Sequence, residues 1–284
     1  MIVTLEFIPT NGITLHTALA GPEDGEPVIL LHGFPDAWFG WEPQIQALAA
    51  AGFRVAAPDQ RGYNLSDKPA QVAGYTLDVL AADVIGLADA LGFDRFCLVG
   101  HDFGALVSWR LAELQPERLK RLVIANVPHP AVMRRYMRKH LSQLRKSWYA
   151  FFFQIPVLPE RVLRANNWQR LSSQMEEGFS REQLDRYRAA WSQPGAIKAM
   201  LNWYRALMRP SASRAVSAAR ITVPALIVWG KQDRHISYEM AQLSAEVCTE
   251  CRLVMLEEAT HWVHQDRPDE VSRLLIEHLQ GDAI

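Results

Sequence analysis

The sequence predicts a doubly wound α/β sheet of mostly parallel strands, flanked by helices and interrupted late by a helical segment. Short β-branched runs recur along the chain and are nearly continuous in apolar character, as in strands buried on both faces. Amphipathic stretches with helical spacing lie between these runs. One long stretch, from Pro130 to Ile221, contains no further run of this kind. This order of elements is typical of an open α/β sheet with an insertion.

The predicted strands begin with a hairpin. Residues Thr4 to Ala20 alternate in polarity and are broken by Asn11-Gly12, a pair that favours a tight turn between antiparallel strands. The runs that predict buried strands are 28–31, 53–57, 96–99, 122–125, 225–229 and 252–256.

The predicted helices of the sheet layer have plausible ends. Pro43 and Pro268 suit first-turn positions, and Gly52 and Gly92 suit helix C-termini. These helices are expected over 41–51, 77–91, 103–114 and 268–279.

The stretch from Pro130 to Ile221 is too long for a loop in a compact domain. Its periodicity predicts a helical cap over residues 131–216, and the core domain would then comprise 1–130 and 217–284. The cap helices are expected over 134–144, 161–175, 181–191 and 196–207.

The composition excludes several function classes. The chain has 284 residues, 49% hydrophobic and 21% charged, and 30 basic residues balance 31 acidic ones. It is therefore expected to fold, and with a net charge of −1 it has no global field that would attract nucleic acid. No metal signature, phosphate loop or dinucleotide fingerprint occurs, so no metal and no cofactor are expected.

A cytoplasmic location is expected, with no membrane partner. The first residues lack the pattern of a secretory signal, and no apolar stretch approaches the length of a membrane span. The basic run between Arg134 and Lys146 is interpreted as a solvated helix face. The pair Cys248 and Cys251 stands alone and does not predict a zinc site. The protein is expected to be a monomer or a dimer.

The most informative motif is Gly100-His101-Asp102-Phe103-Gly104, which joins a predicted strand to a predicted helix. Glycines on both sides permit a strained turn that holds the central side chain above the sheet. That residue is Asp102. A carboxylate is ionised at neutral pH and needs no deprotonation to act as a nucleophile.

Two further polar groups follow other strands. Asp233 comes after the strand at 225–229, and His261 comes after the last strand. The order nucleophile, acid, histidine is that of the α/β-hydrolase triad, with His261 as base and Asp233 as the carboxylate that orients it. The competing histidines, His235 and His264, do not stand at a strand end.

A fourth strand end carries His32-Gly33-Phe34-Pro35. This turn can direct the Phe34 N–H toward the nucleophile, where the Phe103 N–H at the helix start would complete an oxyanion hole. A structural hydrogen bond is expected for His32.

These motifs resemble those of the epoxide hydrolases of the α/β-hydrolase superfamily, and the resemblance spans nearly the whole chain. It implies hydrolysis of an epoxide to a vicinal diol through an aspartyl ester, with a small apolar epoxide and water as the partners. In the cap it implies that Tyr149 and Tyr204 donate to the epoxide oxygen. The resembling segments are 32–38, 59–63, 100–104, 147–154 and 202–205.

Aromatic side chains suggest an apolar substrate pocket. The residues expected to bind substrate are Trp38, Trp148, Phe152 and Trp203.

Two other functions use the same fold. Haloalkane dehalogenases place an indole directly after the nucleophile, where this chain has Phe103, and haloacetate dehalogenases place arginines at the positions of Phe103 and Leu106. A non-catalytic receptor would be expected to lack a triad member, whereas all three are present. Epoxide hydrolysis is therefore favoured over dehalogenation and over ligand reception.

Overall fold

The computed structural model describes residues 2–173, 175, 179–209 and 220–281. Its centre is one eight-stranded sheet with the order β1-β2-β4-β3-β5-β6-β7-β8. The strands are β1 Thr4–Thr10, β2 Ile13–Ala20, β3 Glu26–Leu31, β4 Phe53–Pro58, β5 Phe96–His101, β6 Leu119–Ala125, β7 Ala225–Gly230 and β8 Cys251–Leu256. Each predicted strand is present, with small differences at its ends.

The opening hairpin forms one edge of the sheet. β1 pairs with β2 antiparallel, and β2 pairs antiparallel with β4. All remaining neighbours are parallel. Parallel pairing requires crossover connections, and helices on both faces of the sheet supply them.

The two faces of the sheet bury separate cores. On one face, α1 and α12 cover alternate residues of the central strands, such as Val28 and Leu30. On the other face, α2, α3 and α10 cover the intervening residues, such as Ile29 and Leu31. Their bounds are α1 Glu42–Ala50, α2 Leu77–Ala90, α3 Phe103–Leu114, α10 Glu239–Ala245, α11 Val263–Asp266 and α12 Pro268–Gln280.

Six helices lie between β6 and β7, and they pack onto the core of the second face. They are α4 Pro130–Met137, α5 Leu141–Lys146, α6 Trp148–Phe152, α7 Leu158–Ser172, α8 Arg181–Trp191 and α9 Ala196–Leu207. This is the region predicted to be helical. The predicted end of the cap, residue 216, lies outside the described residues.

Two predicted helices of this region differ in the structure. The helix expected over 134–144 is divided into α4 and α5, because His140 has an extended backbone and stacks on Tyr136. The helix expected over 161–175 begins earlier and ends at Ser172, and Ala165 to Trp168 interrupt it with non-helical backbone. Among the described residues, no helix has the length and apolar character needed to cross a bilayer.

A buried ion pair ties the opening hairpin to α2. The guanidinium of Arg61 makes two hydrogen bonds of 2.6 Å to Asp83, and Asn11 in the hairpin turn donates to the same carboxylate. Trp203 of α9 donates its indole N–H to the Arg61 carbonyl. Arg61 therefore connects the hairpin, the sheet layer and the helical insertion.

We predict that Arg61→Met lowers the free energy of unfolding by about 3–5 kcal/mol, because Asp83 would be left as a buried, unpaired charge. Urea denaturation measures this change. The double variant Arg61→Met/Asp83→Leu should regain most of the loss, since it removes both charges. As a surface control, Arg273→Gln breaks an exposed pair and should cost less than about 1 kcal/mol. Equal effects of Arg61→Met and Arg273→Gln would contradict this prediction.

Candidate active site

Asp102 lies at the sharp turn between β5 and α3. Its backbone has a φ of 49° and a ψ of −119°, which a residue with a side chain rarely adopts. Glycine is required on either side: a Cβ at Gly100 would overlap the Gly104 carbonyl, and one at Gly104 would overlap the Leu31 carbonyl. The close packing of β3 against this turn therefore maintains the strained conformation and fixes the carboxylate.

The loop after β3 contacts the Asp102 carboxylate directly. The Phe34 N–H donates to Asp102 Oδ1 at 2.8 Å, and a Cβ at Gly33 would overlap the Asp102 side chain. Phe103 is the first residue of α3, so its N–H is among those that have no partner within the helix. Both predicted oxyanion donors thus stand beside Asp102.

His261 lies between two carboxylates. Its Nδ1 is 2.8 Å from Asp233 Oδ2, and its Nε2 is 3.4 Å from Asp102 Oδ2. Asp233 lies three residues beyond β7, and His261 lies in the loop between β8 and α11. The structure therefore brings together the three residues that the sequence proposed as a triad.

Asp233 is held by more groups than the sequence indicated. Its Oδ1 accepts from the backbone N–H groups of His235 and Ile236, and its Oδ2 accepts from the Asn126 amide. Asn126 directly follows β6, and its own Oδ1 accepts from the Gly230 N–H. Sequence reasoning missed Asn126, although its place at a strand end was a signal of the kind used to find Asp233.

The charges set the protonation states of this group. Burial alone would lower the pKa of His261, but Asp233 and Asp102 outweigh it and raise the pKa to about 10. Burial opposes ionisation of Asp233, yet His261 and the donors named above lower its pKa. With both carboxylates ionised, the imidazole is therefore protonated at neutral pH.

The other histidines have different environments. His264 is buried against Trp41, with ring centroids 4.2 Å apart, and it faces Asp36 rather than Asp102. The His235 ring packs 5.3 Å from His261, and burial lowers its pKa. His32 accepts from the Gln60 N–H, so the structural hydrogen bond expected for it is present.

Tyr149 of α6 and Tyr204 of α9 face each other above the nucleophile, with ring centroids 5.9 Å apart. Tyr204 packs edge-on against Phe34 and Phe103, the residues that carry the oxyanion donors. Burial and the charge of Asp102 raise the pKa of Tyr149, and burial, Tyr149 and Asp102 raise that of Tyr204. Both phenols are therefore protonated donors at neutral pH.

Asp102, Tyr149 and Tyr204 separate two cavities and line both. The larger has a volume of about 390 Å³, and the smaller, on the His261 side, has about 50 Å³. Apolar walls of the larger cavity include Leu106, Val127, Met133, Met137, Leu207 and Ile236. Those of the smaller one include Phe34, Phe153, Leu163, Leu171 and Trp262.

The four aromatic residues expected to bind substrate do not line either cavity. Trp148 is 61% exposed on the outside of α6, and Phe152 is partly buried beside Phe153. Trp203 supports Phe103 from behind, with ring centroids 5.1 Å apart. Trp38 lies below Arg186, outside both cavities. These placements correct the expectation, because a short helix does not reveal from its sequence which face is turned inward.

One group of described residues has the composition of a metal site. Single ligand atoms of Asp36, His101 and His264 lie within 4.8 Å of one another, and all three side chains are buried. Protein groups already engage two of them: Asp36 accepts from Tyr187 and Gln265, and His101 Nε2 pairs with the His261 carbonyl. This engagement favours a structural role.

Comparison with known proteins agrees with this geometry. The family described as "alpha/beta hydrolase fold" matches residues 26–268. The chain is 44% identical to AB hydrolase superfamily protein YfhM of Bacillus subtilis, over 98% of this chain and 99% of that protein. It is 36% identical to mouse Epoxide hydrolase 4, over 94% of this chain and 77% of that protein.

A solved structure of Bacillus megaterium epoxide hydrolase in complex with an inhibitor is also similar. It superposes with a TM-score of 0.89 at 30% identity, covering 97% of this chain and all of that one. This chain therefore belongs to the epoxide hydrolases of the α/β-hydrolase superfamily.

Proposed function

We propose that this protein hydrolyses an epoxide to a vicinal diol through a covalent ester of Asp102. The observation that carries the proposal is the pairing of two buried, protonated phenols with an ionised carboxylate across the same cavities. An epoxide needs both a nucleophile at carbon and an acid at oxygen, because its alkoxide leaving group is poor.

In the first step, Asp102 attacks a ring carbon and the carbon–oxygen bond of the epoxide breaks. Tyr149 and Tyr204 donate to the oxygen as its negative charge develops, and one phenol supplies its proton. The walls of the larger cavity hold the apolar substituent of the substrate. The product is a hydroxyalkyl ester of Asp102.

In the second step, His261 removes a proton from water, which attacks the ester carbonyl. The Phe34 N–H, which already donates to Asp102 Oδ1, and the Phe103 N–H stabilise the oxyanion. The ester bond to the diol oxygen then breaks, and the proton on His261 passes to the departing alkoxide. Asp233 stabilises the imidazolium throughout.

Formation of the ester also prepares the base for this step. Esterification neutralises Asp102, which is one of the two carboxylates that raise the pKa of His261. The imidazole then loses its proton more readily and becomes available as a base. The sequence of events is therefore built into the charges of the site.

Dehalogenation is the second function considered, because it uses the same nucleophile. Phe103 has no ring N–H to receive a halide, and Leu106 presents an apolar wall where a haloacetate carboxylate would need a cation. A parallel assay against a styrene oxide-type epoxide, a haloalkane, a haloacetate and a nitrophenyl ester tests the choice. Turnover of the epoxide alone supports the proposal, and turnover of a halide substrate alone would overturn it.

The helices over 131–216 act in this proposal as a cap that supplies both tyrosines. We also assign the protein to the cytoplasm, where reduced thiols persist, since Cys97, Cys248 and Cys251 are free. The chemistry described uses protein side chains and water, and it needs no cofactor.

The two half-reactions can be separated by substitution. Asp102→Asn should abolish turnover, because an amide cannot form the ester. His261→Gln should still open the epoxide and then stall, because only water activation needs the imidazole. Intact mass spectrometry should show a stable adduct on His261→Gln and none on Asp102→Asn. An inactive His261→Gln variant that forms no adduct would refute the division of roles.

The tyrosines should act in ring opening alone. The double variant Tyr149→Phe/Tyr204→Phe should slow adduct formation by about 10²–10⁴-fold, the usual worth of general-acid assistance. Each single variant should lose less, because the other phenol still donates. Pre-steady-state mass spectrometry measures adduct formation, and Tyr136→Phe, which lines neither cavity, serves as the control. Alkylation at the wild-type rate in the double variant would leave both tyrosines as packing residues.

The charge on His261 should depend on Asp102. Asp102→Asn should lower the pKa of His261 from about 10, whereas the surface control Asp269→Asn should not change it. A raised pKa stabilises the folded protein below the unfolded value of about 6.5 and ceases to do so as the pH rises through the folded value. The wild type should therefore lose more stability between neutral pH and pH 10 than Asp102→Asn. NMR titration of the imidazole and urea denaturation measure the two quantities, and identical pKa values in both proteins would contradict the account.

A further inference from the structure

The helices α4, α5 and α6 carry an unbalanced charge. Between Pro130 and Leu158 the sequence contains no Asp or Glu, while the chain as a whole has a net charge of −1. The basic residues in this stretch are Arg134, Arg135, Arg138, Lys139, Arg145 and Lys146. Ion pairs of the helical insertion involve Arg186, Arg188 and Arg205 instead. Among the described residues, no carboxylate pairs with the basic groups of α4 to α6.

Large apolar side chains are exposed on the same helices. Leu141 is 74% exposed, Trp148 61% and Phe151 53%. Leu141, Arg145 and Trp148 follow one another at spacings of four and three residues along α5 and α6, so they share one side of this nearly continuous pair. The basic run is thus more than the solvated helix face that the sequence favoured.

This surface surrounds the opening of the larger cavity. Arg134 and Phe151 line that cavity together with Leu207 and Met208, which are themselves about 40% exposed at the end of α9. We call these exposed apolar and basic side chains the mouth patch. Its members are Arg134, Arg135, Arg138, Lys139, Leu141, Arg145, Trp148, Phe151, Leu207 and Met208.

We propose that the mouth patch docks on the surface of an anionic lipid bilayer. Exposed Trp, Phe and Leu beside Lys and Arg form the combination with which interfacial helices enter the headgroup region. Basic residues are attracted to anionic headgroups, and indoles favour the interface itself. The charge is wrong for a second copy of this chain, since a symmetric contact would bring like charges together.

Docking gives the opening of the cavity a purpose that rests on the proposed function. Apolar epoxides partition into bilayers, and a cavity opening within the docked surface would receive them without passage through water. The docking itself does not require turnover. Failure to bind lipid and failure to hydrolyse epoxides are therefore separate results.

Vesicle flotation of the full chain tests the proposal. The protein should float with vesicles of phosphatidylcholine and phosphatidylglycerol, less with phosphatidylcholine alone, and less at high salt. The variant Arg135→Gln/Arg138→Gln/Lys139→Gln should partition roughly a hundredfold more weakly, at about fivefold for each basic residue. The matched control Arg54→Gln/Lys120→Gln/Arg252→Gln removes equal charge at the second residues of β4, β6 and β8, at the opposite end of the sheet. It should bind like the wild type.

Trp148 reports the orientation of the docked protein. Of the nine tryptophans, Trp148 is 61% exposed and the other eight are at most 8% exposed. Brominated phosphatidylcholine should therefore quench part of the fluorescence of the bound protein, and Trp148→Phe should lose that part.

Three results would overturn the proposal. The first is equal flotation of the two triple variants, and the second is bound protein whose Trp148 is not quenched. The third is the absence of flotation at low salt, whether the patch then binds a single-stranded oligonucleotide or another copy of the chain.

Discussion

The strained turn at Asp102 is the constraint on which the rest of the site depends. A residue with a side chain holds a left-handed φ there because β3, its following loop and the start of α3 approach too closely for any Cβ at Gly33, Gly100 or Gly104. The same approach places the Phe34 N–H on the Asp102 carboxylate. Nucleophile and oxyanion donor are therefore positioned by a single packing contact, and the parallel sheet supplies its rigidity.

Charge is the second organising feature of the site. One imidazole stands between two carboxylates, and only Asp102 among them changes charge during the proposed reaction. Asp233 cannot change its role, because Asn126 and two backbone N–H groups hold it as an anion. The timing of the base thus follows from which carboxylate is esterified. The phenols remain protonated throughout because burial raises their pKa.

The sequence predicted those features that follow from local pattern and strand ends. The buried strands, the helices at 103–114, 181–191 and 196–207, and the meeting of Asp102, Asp233 and His261 all have such a basis. The walls of the cavities had none: Leu163 and Leu171 reach the site from α7, whose course depends on a non-helical break that no periodicity announces. The outward position of Trp148 was likewise unreadable, because a five-residue helix is too short to show an apolar face.

The central claim is that the diol oxygen comes from the enzyme and that water attacks the Asp102 ester. A single turnover with excess enzyme in heavy-oxygen water tests this most directly. The account predicts that the first diol contains no label and that the Asp102 peptide gains one heavy oxygen atom. Label in the diol of that first turnover, with an unlabelled Asp102 peptide, would show direct attack of water on the epoxide and would contradict the account.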